Sequence, residues 1–425
     1  MPARDGGICR IKLAGGRIDA AQARVVAQVA EREASGTIEV TNRANLQIRG
    51  IHGAHEAVIE PLLGAGLGPR QSAGDDVRNL MLSPTAGLDP HRLFDARPLA
   101  ARILATLEST PRLHDLSPKF ALSLDAGEGL AMLEHHHDLW LSALALDGDV
   151  WLAFGLAGCP AHDRPLAAVA LEHGHALVLA LLELFLQRAR PAQTRMRHLL
   201  QALSMEELLD ALAERLGVTL RRDPAITGWR RAPTKPDAHL GIYPQALPDR
   251  CAVGGAAPLG RLDAGMLERL AGLAEQLGDG TLLMTPWQSV LLPNVARSQA
   301  DQALSAMMRI GLLTDPHQPL ARLIACTGSA GCVKGRADTK ADARRLALLL
   351  PDGDPGVAVH LSGCERSCAA AHATPFTLLA TEEGYYDLYA RGASDTGFGT
   401  LRARHLTLDA AGALLRAGSR SSTDD

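Results

Sequence analysis

The sequence predicts an internally duplicated α+β fold, with two small half-units and two larger α/β domains related by a pseudo-twofold axis. The first observation is a β-α-β-β pattern near the start, the order of a ferredoxin-like unit. Residues 8–16 alternate like a strand, Asp19 caps a helix, and strands follow over 37–41 and 46–49. The second observation is that this pattern recurs, and the third is that one half alone carries closely paired cysteines.

The recurrence lies 244 residues downstream without a gap, so that Gly16-Arg-Ile-Asp19 returns as Gly260-Arg-Leu-Asp263. Over positions 16–41 and 260–285, ten of 26 residues are identical. A repeat of this length and identity indicates an internal duplication. The segments that follow each half-unit are similar too, which extends the duplication to the larger domains.

These patterns divide the chain into five parts. We expect half-units over 1–70 and 234–310, larger α/β domains over 71–233 and 311–418, and a disordered tail over 419–425. Residues 234–248 contain three prolines, and we interpret them as the linker between the halves. The second larger domain carries the paired cysteines, so the two halves have diverged in function.

The composition argues against several classes of protein. The net charge of −4 disfavours a general nucleic-acid binder, which would carry a basic face. No run of 18 apolar residues occurs, and the start lacks a basic segment followed by an apolar one. Seven cysteines, an odd number, do not suggest a disulfide framework. We therefore expect a cytoplasmic protein with neither a nucleic-acid nor a membrane partner.

The paired cysteines are Cys326 with Cys332, a C-x5-C pair, and Cys364 with Cys368, a C-x3-C pair. Both pairs lie in glycine-rich segments. Four thiolates can hold either a tetrahedral zinc ion or an iron–sulfur cluster. Structural zinc usually takes cysteines about two to four residues apart, whereas a cubane cluster has separated iron corners and accommodates wider spacing. The pattern favours a [4Fe–4S] cluster, with zinc and four unrelated thiols as the alternatives.

Four basic residues are candidates for binding an anion: Arg43, Arg49, Arg78 and Lys119. The first two lie on a strand–turn–strand segment, and arginine binds carboxylates bidentately. The other two, Arg78 and Lys119, stand in the larger domain of the first half, where the second half has its cysteines. Thiolates in one half and cations in the other imply a site between the halves for something anionic. An ordinary surface charge is the alternative for each single residue.

The segment His135-His-His137-Asp138 has metal-ligating residue types. Adjacent residues in an extended stretch point to opposite faces, so three consecutive histidines rarely bind one ion. We therefore expect this segment to form the edge of a hairpin.

Taken together, these motifs resemble the sulfite/nitrite reductase hemoprotein superfamily. The resemblance rests on the cysteine pairs, the doubled half-unit, Thr41-Asn-Arg43 and Pro118-Lys-Phe120, and it extends over residues 7–415. It implies the duplicated fold of that superfamily and a [4Fe–4S] cluster held by the four paired cysteines. It also implies that Arg43, Arg78 and Lys119 match basic residues that bind an anionic substrate.

Two departures favour one branch of the superfamily, the precorrin-3B synthases. Ala44 stands where the reductases have glutamine, and Ala121 stands where they have a second lysine. Losing that lysine weakens a site for a small oxyanion. Segments 7–16, 41–51, 259–262, 285–287 and 360–364 are similar to those of the synthases.

This resemblance implies an O2-dependent monooxygenase of aerobic cobalamin (vitamin B12) biosynthesis that hydroxylates precorrin-3A at C20 with lactone formation. NADH would be the ultimate electron donor, and a separate reductase would deliver the electrons because no glycine-rich dinucleotide motif is present. A mononuclear non-haem iron is a further expected cofactor, although no ligand triad is evident; His360 and His372 lie near the cysteines in sequence. The alternative is a siroheme- and [4Fe–4S]-dependent sulfite or nitrite reductase.

Overall fold

The structure is a computed structural model of the 425-residue chain, and it describes residues 1–351, 358–370, 374–392, 395 and 397–421. Within these residues the strands form four five-stranded sheets. Two sheets belong to the half-units and two to the larger domains. The repeated sheets, together with the helices that pack on them, confirm the predicted duplicated α+β fold.

The strands of the first half are β1 (Pro2–Ala3), β2 (Gly6–Ile11), β3 (Arg17–Asp19), β4 (Thr37–Val40), β5 (Leu46–Ile51), β6 (Leu80–Leu82), β7 (Leu122–Asp125), β8 (His137–Leu146), β9 (Asp149–Gly158) and β10 (Ala167–Ala170). Those of the second half are β11 (Gly241–Pro244), β12 (Arg250–Ala256), β13 (Arg261–Asp263), β14 (Thr281–Met284), β15 (Ser289–Ala296), β16 (Leu323–Ala325), β17 (Val359–Ser362), β18 (Phe376–Glu382), β19 (Tyr385–Ala390) and β20 (Thr400–Leu406).

The helices are α1 (Ala20–Glu33), α2 (His55–Gly64), α3 (Arg97–Ser109), α4 (Gly174–Arg188), α5 (Met196–Leu199), α6 (Met205–Leu216), α7 (Pro224–Thr227), α8 (Ala264–Leu277), α9 (Ala300–Ile310), α10 (Thr339–Leu349) and α11 (Leu408–Ser421). In the part of the chain that the structure describes, none of them has the length and apolar character needed to span a membrane.

The two half-units exchange one strand each. β3 of the first half-unit pairs antiparallel with β14, and β13 of the second pairs with β4. The helices α1 and α8 pack against each other, and one apolar core runs through both half-units. Asp19 and Asp263 cap these helices by accepting the backbone N–H of Gln22 at 2.8 Å and of Met266 at 2.7 Å. The half-units therefore form one packed body.

The two larger domains share one topology. In the first, parallel β6, β7 and β8 continue into antiparallel β9 and β10. In the second, parallel β16, β17 and β18 continue into antiparallel β19 and β20. The first strand of each sheet ends just before Ser83 in one domain and just before Cys326 in the other. The duplication thus includes the edge of the sheet from which the cysteines project.

Three expected features differ in detail. The interpretation of 234–248 as a linker is incomplete, because β11 lies within it and pairs with β12. Of the expected hairpin edge at 135–138, His137 and Asp138 begin β8, which forms a hairpin with β9 and pairs with β7 from Leu139 onwards. In the expected tail over 419–425, α11 extends to Ser421 and residues 422–425 lie outside the described residues.

Candidate functional site

The two cysteine pairs meet at one edge of the second larger domain. Cys326 directly follows β16, and Cys364 comes shortly after the end of β17. These strands are parallel neighbours, with Leu323 opposite Val359, so their carboxyl ends lie side by side. The backbone N–H of Gly363 donates to Sγ of Cys326 at 3.2 Å. Parallel pairing therefore joins two cysteine loops that are distant in sequence.

Glycines allow the backbone to come close to the cysteine sulfurs. Gly328 has a φ of +66°, which favours glycine, and a Cβ there would lie 2.6 Å from the carbonyl oxygen of Ala337. A Cβ on Gly335 would lie 2.5 Å from the carbonyl carbon of Gly328, and one on Gly363 would lie 3.4 Å from Sγ of Cys326. Side chains at these positions would fill the loop, so the glycines form a cradle that fits an iron–sulfur cluster.

The other paired cysteines act on the ionisation of Cys368. Burial raises the pKa of the Cys368 thiol, and the charges of Cys364, Cys326 and Cys332 raise it further. Among the described residues, no three His, Cys, Asp or Glu side chains form a group that could hold a metal ion. The assignment of a [4Fe–4S] cluster to these four cysteines therefore stays a prediction, which their thiolate chemistry supports.

Of the two histidines near the cysteines in sequence, the structure describes His360. His360 lies in the central strand β17 and is 1% exposed. His372 lies outside the described residues. The expected mononuclear iron therefore has no ligand set in the described ranges.

Arg49, one of the expected substrate-binding residues, is buried in an ion-pair network. Its guanidinium donates to both carboxylate oxygens of Asp5, at 2.9 and 3.0 Å, and to the carbonyl oxygen of Gly331 at 3.2 Å. Its Nη1 also lies 3.6 Å from Glu39. Arg49 thus ties the first half-unit to the loop between Cys326 and Cys332. Its expected contact with substrate stays a prediction, and the protein groups that it binds give that prediction no support.

The same network extends to Lys340 in α10. Glu39 lies 3.0 Å from Nε of Arg261 and 3.7 Å from Nζ of Lys340. Burial alone would raise the pKa of Glu39, but the charges of Lys340, Arg49 and Arg261 outweigh it and hold that pKa below its usual value. Burial lowers the pKa of Lys340 to about 8, although Glu39 opposes this shift. Cations thus surround a buried carboxylate beside the cysteine loop.

Arg43 lies in a tight turn that touches the loop of Cys368. Thr41 Oγ1 accepts the backbone N–H of Arg43 at 3.3 Å, and Ala44 has a φ of +56°. Nδ2 of Asn42 donates to the carbonyl oxygen of Cys368 at 3.3 Å. The Arg43 side chain is exposed and forms no ion pair within the part of the chain that the structure describes. This cation is therefore available to a ligand beside the second cysteine pair.

Cations from two other elements surround Arg43. Protein atoms around its guanidinium lower the pKa of Arg43, the charges of Arg195 and Arg10 lower it further, and Asp138 opposes them. Arg10 lies in β2, and Arg195 precedes α5. We call the region of Arg10, Arg43 and Arg195 the cationic cleft. These residues come from the first half-unit and the first larger domain, Asn42 next to Arg43 contacts the Cys368 loop, and repulsion among the three guanidinium groups favours an anionic ligand.

The other two expected substrate-binding residues, Arg78 and Lys119, differ in how accessible they are to a ligand. Arg78 pairs with Asp75 at 2.8 Å and with Glu108 at 3.1 Å, and its side chain is 14% exposed. Lys119 is exposed, and its ammonium forms no ion pair among the described residues. Lys12 donates to the carbonyl oxygen of Asp75 at 2.5 Å, and burial, opposed by Asp75, lowers its pKa to about 8. The roles of Arg78 and Lys119 in substrate binding remain predictions.

Sequence reasoning missed Arg10, Lys12 and Arg195. Arg10 and Lys12 alternate with apolar residues at the end of β2, which is a signal that the sequence contains. Arg195 gives no such signal, because the fold alone brings it beside Asp138, 57 residues earlier in the chain.

Family models match most of the first half and the half-unit of the second. The model described as the nitrite/sulfite reductase ferredoxin-like half domain matches residues 1–65 and 243–310. The model described as the nitrite and sulphite reductase 4Fe-4S domain matches residues 73–220. The four paired cysteines lie outside that range, in the second domain of the same topology.

Similar proteins include both reductases and a synthase. A chloroplastic ferredoxin–nitrite reductase of Zea mays is 31% identical over 389 residues, which cover 84% of this chain and 67% of that protein. A precorrin-3B synthase of Sinorhizobium sp. is 26% identical over 407 residues, which cover 93% of this chain and 82% of that protein. The chain spans about two thirds of the length of the plant nitrite reductases that it matches.

The fold has a close counterpart among solved structures. The structure of the Mycobacterium tuberculosis NirA protein superimposes with a TM-score of 0.80 at 21% sequence identity. The match covers 97% of this chain and 80% of that chain. At this identity the likeness establishes the architecture of the duplicated half-units and larger domains.

Proposed function

The chain belongs to the nitrite and sulfite reductase family, and on that premise we propose that it is an O2-dependent hydroxylase of a polycarboxylate tetrapyrrole. The proposed substrate is precorrin-3A, hydroxylated at C20 with formation of a lactone, as in aerobic cobalamin biosynthesis. One atom of O2 enters the tetrapyrrole and the other leaves as water. The electrons come ultimately from NADH through a separate reductase.

The cationic cleft is the observation that carries this proposal. Arg43 is exposed, lacks a carboxylate partner among the described residues, and sits one residue from Asn42, which bonds the Cys368 carbonyl oxygen. Arg10 and Arg195 add two further positive charges. A flat ring fringed with carboxylates would find its counter-charges there, next to the cysteine loop.

The paired cysteines have the donor chemistry of an iron–sulfur site. Cys326, Cys332, Cys364 and Cys368 would hold the [4Fe–4S] cluster, which supplies electrons one at a time when bound. The chain's own groups stabilise negative charge on sulfur, because the N–H of Gly363 donates to Cys326 and the charge of Lys340 reaches the same thiol. Arg49 holds the loop in place through Gly331.

Two observations support a hydroxylase of this kind rather than a reductase. Ala121 is 9% exposed and offers only its backbone, whose N–H donates to Oδ2 of Asp138 at 2.9 Å. No amine stands at that position to gather and protonate a small oxyanion. In addition, the alignment with the Sinorhizobium precorrin-3B synthase covers 93% of this chain and 82% of that protein.

A siroheme-dependent nitrite reductase is the second candidate, and the 31% identity to the maize nitrite reductase favours it. In that case siroheme would be bound next to the cationic cleft as a cofactor, and nitrite would be the ligand of the basic residues. The visible spectrum of anaerobically purified protein separates the two candidates. Siroheme gives strong Soret and red bands, whereas a cluster alone gives a broad shoulder.

The decisive test incubates the purified protein with precorrin-3A, NADH, an electron-transfer reductase and isotopically labelled O2. The proposal predicts a tetrapyrrole product that carries one labelled oxygen atom. Substrate recovered without label, in a preparation with intact cluster absorbance, would contradict it. Nitrite or sulfite consumption by the same preparation would establish the second candidate instead.

A further inference from the structure

We propose that Glu39 is a positioning residue, which holds two cations beside the first cysteine pair so that their charge raises the reduction potential of the cluster. The two cations are Arg49 and Lys340. The inference rests on the proposed function, because the cluster is part of it. Glu39 lies in β4 of the first half-unit, whereas Lys340 and the cysteine loop belong to the second larger domain.

Four polar groups meet at the carboxylate of Glu39, whose side chain is 12% exposed. Oε1 accepts Nε of Arg261 at 3.0 Å and Oγ1 of Thr327 at 3.4 Å, and it lies 3.7 Å from Nζ of Lys340. Oε2 lies 3.6 Å from Nη1 of Arg49. Thr327 directly follows the first cysteine of the pair, so this carboxylate also touches the cysteine loop.

The strand exchange between the half-units places Glu39 at this point. β13 of the second half-unit pairs with β4 of the first, and Arg261 stands opposite Glu39 in that register. A carboxylate of the first half thereby reaches Thr327, which lies 288 residues further along the chain. The contact is a product of the duplicated architecture, and no local sequence motif predicts it.

Contacts of its own helix fix Lys340 close to Cys326. Lys340 is 5% exposed, and its Nζ donates to the carbonyl oxygen of Leu259 at 2.5 Å. Thr339, the residue before it, is the first residue of α10. Oγ1 of Thr339 lies 3.5 Å from Sγ of Cys326 and donates to the Cys326 carbonyl oxygen at 2.7 Å. The ammonium thus stands in the first turn of a helix that directly contacts an expected cluster ligand.

Arg49 reaches the other end of the same loop. Its Nη2 donates to the carbonyl oxygen of Gly331 at 3.2 Å, and Gly331 directly precedes Cys332. A Cβ on Gly331 would lie 2.8 Å from that nitrogen, so a side chain there would collide with the guanidinium. Through Thr327 and Gly331, the network contacts the loop just inside both of its cysteines.

The network carries more positive than negative charge. Three cations, Arg49, Arg261 and Lys340, contact the carboxylates of Asp5 and Glu39, so one positive charge is uncompensated within it. Burial opposes the ionisation of Glu39, but the cations hold its pKa below the usual value. Burial lowers the pKa of Lys340 to about 8, which leaves its amine protonated at pH 7.

This excess charge favours the reduced form of a bound cluster. A cluster on four thiolates is anionic and gains a further negative charge on reduction. Charges that are shielded from water act strongly on one another, so a buried cation beside the loop stabilises that added charge. Glu39 both holds the cations in place and cancels part of their charge.

The experiment measures the reduction potential of the cluster at pH 7 in wild type, Lys340→Met, Glu39→Gln and the double variant. Lys334→Met is the control, because Lys334 lies two residues from Cys332 but is exposed, where water and salt screen its charge. Dye-mediated titration, followed by visible absorption and electron paramagnetic resonance, gives each potential. Iron and acid-labile sulfide show that the cluster is present, and thermal unfolding shows that each variant is folded.

We expect Lys340→Met to make reduction less favourable by about tenfold, because a buried positive charge is lost. For one electron, a tenfold change in the equilibrium constant lowers the potential by about 59 mV. Glu39→Gln removes a negative charge and should raise the potential by a similar amount. The double variant should return towards wild type, and Lys334→Met should stay close to it.

Shifts of opposite sign distinguish this role from a structural one, since a loss of packing would disturb both single variants in the same way. Unshifted potentials or shifts of the same sign, in folded variants that hold the cluster, would overturn the inference. An equally large shift in the Lys334 control would overturn it as well. If Lys340→Met loses its cluster, Glu39→Gln decides: a raised potential supports the inference, and an unchanged or lowered one rejects it.

The labelled-oxygen assay with precorrin-3A separates this inference from the proposed function. Opposite shifts in a protein that adds no labelled oxygen would keep the inference and reject the proposed function. Labelled product from wild type, combined with unshifted potentials in the variants, would do the reverse. A wild type that binds no cluster would reject both.

Discussion

Arg43 and Arg49 lie on one hairpin, yet the structure gives them opposite environments. Arg49 projects from β5 into a network with Asp5 and Glu39 and is 4% exposed. Arg43 sits in the turn before β5 and is exposed. Residue type alone therefore says little about function at either position. Burial and pairing indicate that one guanidinium holds the protein together and that the other is available to a ligand.

Substituting each arginine by alanine should separate these two roles. Arg43→Ala should weaken the binding of uroporphyrin, a stable polycarboxylate tetrapyrrole, by about tenfold, with unchanged stability, because an exposed cation is removed from the cleft. Arg49→Ala leaves Asp5 and Glu39 partly unpaired inside the protein and should cost about 3 kcal/mol or more in the free energy of unfolding. Denaturant unfolding and fluorescence titration of both variants measure this. Similar behaviour of the two variants would refute the distinction.

Single cysteine substitutions test whether Cys364 is a ligand of the cluster. Cys364→Ser should lose iron and acid-labile sulfide, because one corner of the cluster would lack its thiolate. Cys251→Ser is the matched control, since that thiol is fully buried in β12 and lies 3.6 Å from the carbonyl oxygen of Val295. Its iron content should stay at the wild-type level. Equal iron and sulfide in the Cys364 variant and wild type would remove this residue from the site.

At the scale of elements, β16 and β17 decide where the cysteines meet. The cysteine pairs and their glycines are evident in the sequence. What the sequence does not contain is the pairing partner of each strand, which is set by packing between distant segments. The position of Arg195 beside Asp138 has the same origin. Local periodicity thus predicts the elements, whereas tertiary packing assembles the cationic cleft.

The close backbone contact between Gly328 and Gly335 predicts that the loop of Cys326 and Cys332 is sensitive to an added side chain. Gly335→Ala would place a Cβ 2.5 Å from the backbone of Gly328, so the loop must shift. We expect a loss of about 1–3 kcal/mol in the free energy of unfolding, together with reduced iron content. Gly272→Ala in α8 is the control, because no atom lies within 4 Å of the added Cβ.

The control should keep its iron and gain up to about 1 kcal/mol in stability from better helix propensity. Iron assay and denaturant unfolding of both glycine variants check this. Normal iron content in folded Gly335→Ala would show that the loop need not close so tightly around its ligand.

At the scale of the molecule, the strand exchange makes the two halves interdependent. β3 and β13 each complete the sheet of the other half-unit, and α1 packs on α8 in a shared core. The first half-unit also supplies Arg49 and Asn42 to the cysteine loops of the second half. A duplicated chain has thus become one body, with a thiolate site on one side and cations on the other.

Separate expression of residues 1–233 and 234–425 tests this interdependence. Each fragment alone lacks a strand partner and part of its core, so we expect neither to show cooperative thermal unfolding. Coexpressed fragments should associate and recover it. Circular dichroism during heating measures the transition, and a cooperative transition in either isolated fragment would contradict the account.

The central claim is that a cubane cluster on Cys326, Cys332, Cys364 and Cys368 lies beside a tetrapyrrole held in the cationic cleft. Electron paramagnetic resonance of the reduced protein, recorded with and without saturating precorrin-3A, tests it most directly. The account predicts the signal of a reduced [4Fe–4S] cluster and a change in that signal when the tetrapyrrole binds. Absence of a cubane signal from iron-replete protein, or a signal unaffected by saturating ligand, would contradict it.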